Sequence, residues 1–211
     1  MKKIEFKPLI TTIILIVFQT ICFFFSKLLQ GTPHLIGNAI DAKIPFNIWF
    51  IIPYFIWYLL IFIVPYFLYK KNKDSFMRYI FTYVIVTIIA NIIFIIYPST
   101  VDRPEVVVKG LLTLTAKIIF AIDTPVLNCF PSLHCAMSMM FILFMFENKN
   151  INYPIKIVIS LISVLIMAAT LFVKQHVFID LVSGDILALV AYVLVKIFYK
   201  ENNKLKKVLK I

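Results

Sequence analysis

An all-α bundle of membrane-spanning helices is the fold class that three features of the sequence predict together. Hydrophobic residues make up 62% of the 211-residue chain and charged ones 15%, where a soluble domain carries roughly 25% charged residues. Six stretches, residues 8–26, 44–69, 79–97, 132–146, 157–173 and 177–198, are apolar enough to compare with the ~20 residues that cross ~30 Å of hydrocarbon. The basic residues then divide unequally between the connections. With both termini cytoplasmic, 15 of the 21 Lys and Arg fall inside, leaving Lys27, Lys43, Arg103, Lys109, Lys117 and Lys174 outside, as the positive-inside rule requires. The expectation is therefore a multi-pass cell-membrane protein with six spans and a single membrane domain over residues 1–211. A disordered chain is excluded by the apolar content, and a disulfide framework by only three cysteines.

The first stretch follows Lys2, Lys3 and Lys7. No small-residue cleavage site follows Phe25, so it reads as a retained helix rather than a removed signal. The second carries Trp49 and Trp57, and the third carries Asn91, a candidate for hydrogen bonding between helices. The segment 98–131 is long, and long loops in compact proteins are usually functional. Within it residues 105–123 are apolar apart from Lys109 and Lys117, which predicts a helix lying in the outer interface. The fourth stretch is short, and the sixth holds Asp180 and Asp185. The inner connections 70–75 and 147–154 are brief. The basic tail, residues 200–210, abuts a span and so suits anionic lipid headgroups better than nucleic acid. The chain has neither an internal repeat nor a Gly-rich phosphate loop.

Two of the three histidines sit at the outer ends of stretches. His176 precedes Asp180 by four residues, one helical turn, so imidazole and carboxylate share a face that Ser183 and Gly184 continue. An ionisable group within a span costs at least ~2.5 kcal/mol at the helix centre, so Asp180 needs a partner. A carboxylate on one ring nitrogen fixes the tautomer and frees the other nitrogen as base or nucleophile. The pair serves equally well as a structural bond between two helices. The run Cys129-Phe130-Pro131-Ser132-Leu133-His134-Cys135 places proline at the expected first position of a helix. Such a helix start presents N–H groups and partial positive charge to an anion, with Ser132 and His134 in the first turn. An ordinary capped helix explains the same residues. Arg103, just past the third span, alone reads as an interface anchor. His34 matches nothing and reads as solvated. Cys129 and Cys135 allow a disulfide but suit small packing groups better, and Asp185 lies off the His176 face.

Taken together, the order and spacing of these groups resemble the type-2 phosphatidic acid phosphatase superfamily. Its pattern is K-x6-R-P, then P-S-G-H, then S-R-x5-H-x3-D. Arg103-Pro104 matches the end of the first block, Pro131-Ser132-Leu133-His134 the second with Leu for Gly, and His176-x3-Asp180 the third. The resemblance covers residues 79–190, the expected catalytic core. It implies a six-helix core that opens to the outer membrane face. It also implies an enzyme that cleaves or transfers a phosphoryl group of a phospholipid or isoprenoid phosphate. His176, oriented by Asp180, would form a phosphohistidine. His134 would act as acid and then base, while Arg103 and Ser132 bind phosphate.

The departures point to a branch. Ile96 stands where the family has Lys, and Ala169-Thr170 where it has Ser-Arg. Lys174 is expected to replace one missing cation, with Lys109 or Lys117 approaching from the interfacial segment. Loss of the cationic clamp with both histidines and Asp180 kept resembles the inositol phosphorylceramide synthase and sphingomyelin synthase branch, which moves headgroups between lipids. Phosphatase and phosphotransferase both remain open. A non-catalytic lipid-binding or lipid-transport protein of the same fold is the other reading. No cofactor is implied. Scattered histidines without a Cys pair at zinc spacing form a poor metal set, so no metal is expected. The expected partners are the lipid substrate and the membrane, with no nucleic acid.

Overall fold

A computed structural model describes residues 6–201, with the side chains of the last two left undescribed. Lys2, Lys3 and most of the basic tail lie outside the described residues. The chain is all-α, about 75% helical. The helices are α1 (Phe6–Leu29), α2 (Ala39–Lys43), α3 (Ile51–Lys71), α4 (Lys73–Ile96), α5 (Leu111–Ile122), α6 (Leu133–Glu147), α7 (Tyr153–Phe172) and α8 (Phe178–Glu201). Five of the described helices, α1, α3, α4, α7 and α8, are long and apolar enough to cross a membrane.

The fourth expected span, α6, has only 15 residues, about 22 Å at ~1.5 Å per residue, and so falls short of a bilayer core. Its surroundings differ from those of the others. It packs against α3, α4, α7 and α8, and Met137, Met140, Phe141 and Phe144 are fully buried. A helix sheathed in protein does not need the length that lipid contact demands. The outer helices show the reverse pattern. Ile10, Ile14, Val17 and Ile21 of α1, Leu161 and Val164 of α7, and Val190 and Ile197 of α8 are all exposed. Ridges of large aliphatic side chains along several helices are what a hydrocarbon solvent stabilises and water does not.

The connections explain the helix boundaries. Asn72 alone joins α3 to α4, its Oδ1 accepting the Ser75 N–H at 3.1 Å as an N-cap. That cap starts α4 six residues before the apolar stretch. At the same end Asn148 turns α6 into α7, its Oδ1 accepting from Asn150 N at 3.1 Å. At the other end the connections from α1 to α3 and from α4 to α6 are long and tied to each other. His34–Leu35 and Ser99–Thr100 form a two-residue parallel ladder, and His34, exposed, stacks on Tyr97 at 5.0 Å. Asn47 caps a short 3-10 turn, Ile48–Phe50, that leads into α3. Helix α5 packs on α3 and that turn by burying Ala116, with Leu111, Leu114, Ile118 and Ile122 exposed.

Asn91 bonds within its own helix, its Nδ2 donating to Thr87 O at 2.8 Å. The expectation of an interhelical bond there is thus not met by any described partner.

Candidate active site

Helices α6 and α8 meet at their first turns, and sequence detail allows the approach. A Cβ on Gly184 would lie 2.4 Å from the Ser132 carbonyl oxygen and 3.2 Å from Ala136 N, so only glycine lets the backbones come this close. The Ser132 N–H donates to Asp180 O at 3.0 Å across the contact. Ser132 caps α6, its Oγ accepting from Cys135 N at 3.3 Å. This corrects the expected start of the helix. Pro131 stands outside it, and Leu133 is its first residue. Ser132 is fully buried and its oxygen is engaged in the cap, so its connection to the site runs through the helix it starts.

His176 lies in the link from α7 to α8. Lys174 adopts φ 55°, a left-handed conformation that costs a non-glycine residue about 1–3 kcal/mol. The turn it makes folds the chain back, and the N–H groups of Gln175 and His176 both donate to Thr170 O, at 3.0 and 3.2 Å. His176 Nδ1 then sits 3.2 Å from Asp180 Oδ2. The same oxygen accepts the Val177 N–H at 3.1 Å, and Asp180 is wholly buried. With Asp180 on Nδ1, Nε2 of His176 remains for chemistry.

His134, in the first turn of α6, brings its ring centroid to 5.7 Å from that of His176. Its Nε2 is 3.0 Å from the Tyr54 hydroxyl of α3, and Trp57 packs on the ring at 4.3 Å. Arg103 completes the group. Its Nη2 donates to Asp123 Oδ2 at 2.6 Å and to Gln175 Oε1 at 2.7 Å, and the guanidinium lies 5.2 Å from the Phe120 centroid. Asp123 also holds Lys27 of α1 at 3.1 Å. Arg103 Nε and Nη1, Gln175 Nε2 and Trp57 Nε1 are buried donors without a partner among the described residues. Groups of this kind cost free energy until an acceptor meets them.

Both histidines, Tyr54, Trp57, Arg103 and Gln175 line one cavity of about 320 Å³, which extends along Ile16 and Phe23 of α1, Ile61 and Phe62 of α3 and Ile122 of α5. One end carries the histidines and Arg103 and the rest is mostly apolar, with Gln19 and Thr20 of α1 also in its lining. The wall formed by α1 is latched at its end, where Asn128 Nδ2 donates to Phe23 O at 3.0 Å and to Ser26 Oγ at 3.1 Å.

His134, His176, Asp180 and Arg103 are thus brought together, as the sequence spacing suggested. Lys174 is placed elsewhere. Its ammonium donates to Asp41 O at 2.9 Å and Ile44 O at 2.5 Å, and it lines a separate cavity of about 600 Å³ with Asp41, Asp102 and Arg103. The left-handed turn at Lys174 and the carbonyls at the end of α2 account for this. Lys109 and Lys117 are exposed and line neither cavity. Among the described residues Arg103 is the one Lys or Arg lining the histidine cavity. Cys129 and Cys135 are buried free thiols, and burial pushes the Cys129 thiol up to about 12. Tyr54, Trp57, Gln175 and the Asp123 tether have no motif in the sequence to mark them. The adjacency of Gln175 to His176 is the nearest to a signal.

The sequence model of the PAP2 superfamily matches residues 25–194. The chain belongs to the PAP2 superfamily. Members of this superfamily are generally phosphoesterases or phosphotransferases, and the long apolar helices fit a membrane version of that activity. No curated protein matches the chain and no solved structure does.

Proposed function

We propose that the chain is a multi-pass cell-membrane enzyme that transfers or cleaves the phosphoryl group of a lipid through a phosphohistidine on His176. The observation that carries this reading is the cavity itself. Two histidines face each other at its polar end beside unpaired N–H donors of Arg103 and Gln175, and its remaining length is mostly apolar. In the reading, Nε2 of His176 attacks phosphorus while Asp180 steadies the imidazolium that forms. Arg103, Gln175 and the start of α6 stabilise charge on the phosphoryl oxygens. His134 supplies and later removes the proton of the oxygen substituent. The apolar walls hold the lipid tail. The basic asymmetry of the connections supports an outward-facing site, with α6 as a sixth, protein-sheathed membrane helix.

A phosphodiester is favoured over a monoester. A monoester carries about −1.5 to −2 charges near neutral pH and a diester about one, and Arg103 is the one permanent cation lining the cavity. With Lys174 engaged by backbone carbonyls, headgroup transfer or diester cleavage, as in the sphingolipid-synthase branch, suits the site best.

Mass-spectrometric product analysis tests this with purified protein beside His176→Ala. The liposomes hold phosphatidic acid, phosphatidylglycerol phosphate, undecaprenyl diphosphate and common diester phospholipids. The expected result is a headgroup-exchanged or headgroup-free lipid that is absent from the variant. Free phosphate with a dephosphorylated lipid would make the protein a monoesterase instead. No product from any lipid would favour the non-catalytic lipid-binding reading.

A further inference from the structure

His134 does not meet the cavity alone. Its Nε2 lies 3.0 Å from the Tyr54 hydroxyl, the two ring centroids are 4.9 Å apart, and Trp57 closes another side at 4.3 Å. Tyr54 is 2% exposed and its side chain lines the cavity with both histidines. A buried tyrosine hydroxyl is expected to have a hydrogen-bond partner. Here that partner is a ring nitrogen of the residue assigned to proton transfer. With this nitrogen engaged, an oxygen of the substrate reaches its proton through the phenol.

Resting on the phosphotransfer reading above, we propose that Tyr54 is a further catalytic residue, carrying the proton between His134 and the substrate oxygen. In the first half-reaction a bond forms from Nε2 of His176 to phosphorus and the bond from phosphorus to the leaving oxygen breaks. That oxygen takes the Tyr54 hydroxyl proton while the Tyr54 oxygen takes a proton from Nε2 of His134. The relay requires the imidazole to enter the step protonated on both nitrogens, a form that the negative charge of the bound phosphoryl group favours, and to leave it neutral. In the second half-reaction water or an acceptor hydroxyl attacks phosphorus and the bond to His176 breaks. The proton of the attacking oxygen passes to Tyr54, and the Tyr54 proton returns to His134. A departing alkoxide is more basic than a phenolate, so the phenol can protonate it.

The test separates proton delivery from packing by varying the leaving group. Wild type, Tyr54→Phe and His176→Ala are assayed in detergent on benzyl dodecyl phosphate and p-nitrophenyl dodecyl phosphate, and on benzyl phosphate and p-nitrophenyl phosphate. The benzyl alkoxide must be protonated as it leaves, whereas nitrophenolate leaves without help. General acid catalysis contributes about 10²–10⁴-fold, so Tyr54→Phe is expected to lose about 100-fold more kcat/KM, which reports the first half-reaction alone, toward a benzyl ester than toward its nitrophenyl partner. The smaller loss on the nitrophenyl ester also reports that the variant is folded. Equal losses on both partners would assign Tyr54 to packing of His134 and overturn the relay. No loss on either would leave proton delivery to His134 directly, with the same consequence. Wild-type activity that survives His176→Ala, or no activity on any of the four esters, would overturn the phosphotransfer reading and the relay with it.

Discussion

Two arginines near opposite ends of α4, Arg78 and Arg103, share much of their chemistry. Each is paired with a carboxylate, Arg78 with Glu147 and Arg103 with Asp123. Each lies under an aromatic ring, Tyr199 at 5.5 Å and Phe120 at 5.2 Å. Their surroundings separate them. Arg78 joins α4 to the last residue of α6 and packs on α8, whose Tyr199 hydroxyl donates to Asp74 of α4 at 3.3 Å. It lines neither of the two cavities. Arg103 is held by Asp123 at the end of α5 and by Gln175 in a link, and it lines both cavities. The end of the bundle with one-residue and five-residue turns uses its arginine as a fastening between helices. The end with the two long connections holds its arginine in the lining of the cavity that the histidines share. Residue type alone would not have distinguished the two roles.

The comparison is sharpest when each arginine is removed. Arg103→Ala is expected to lower kcat by about 10²–10³-fold, the usual effect of deleting a charge-stabilising donor. Its thermal midpoint in detergent should remain close to wild type. Arg103→Lys should recover only part of the rate, because an ammonium cannot donate in the fork that meets Asp123, Gln175 and a phosphoryl oxygen together. Arg78→Ala should do the opposite. It leaves Glu147 buried without its partner and should lower stability by about 3–5 kcal/mol, with kcat of the folded fraction unaltered. Thermal unfolding and turnover measured on the same preparations check both. A rate loss in Arg78→Ala at full folding, or a stability loss alone in Arg103→Ala, would break the division.

Gly184→Ala comes next in expected size. The added Cβ would meet backbone, the Ser132 carbonyl at 2.4 Å, which cannot rotate away as a side chain can. Overpacking of this kind costs about 1–3 kcal/mol. Because the displaced helix starts carry His134 and Asp180, kcat is expected to fall as well. A thermal shift without a rate change would show that the α6–α8 contact supports the bundle and not the site.

Much of the architecture was legible because hydrocarbon imposes a coarse rule on the sequence. The long apolar helices were readable from length and charge alone, and so was the presence of an apolar helix within residues 105–123. Helix α6 was harder to count as a span, since length is informative only for a helix that meets lipid, and Met137 and Phe144 meet protein. In the site, the four-residue spacing predicted that His176 and Asp180 meet on one helical turn; they do meet, but with His176 in the link two residues before α8 begins at Phe178. The long-range contacts were not legible. Tyr54 reaches His134 from 80 positions away, and in a chain that is 16% aromatic a further tyrosine in a span carries no signal. Lys174 shows the reverse error. Two positions from His176 it seemed a phosphate ligand, yet a left-handed turn at its own backbone sends its ammonium to α2. Sequence proximity does not survive a reversal of chain direction.

Lys174→Ala therefore carries the smallest expected effect. The substitution removes two charge-assisted bonds to the carbonyls of Asp41 and Ile44, each worth about 1.5–3 kcal/mol in a buried setting and less where half-exposed. It keeps the unfavourable φ of 55°, which Ala tolerates no better than Lys. A thermal shift of a few degrees is expected, with kcat/KM changed less than about threefold, because uniform binding to phosphate is not lost. Lys174→Gly separates the two components. Glycine removes the same bonds but relieves the backbone, so it should be more stable than the Ala variant while showing the same kinetics. If instead both variants lose 100-fold in kcat/KM on a phosphoester, the ammonium must leave the carbonyls and reach the substrate during turnover. The site would then hold two cations, and the preference for a diester over a monoester would lose its basis.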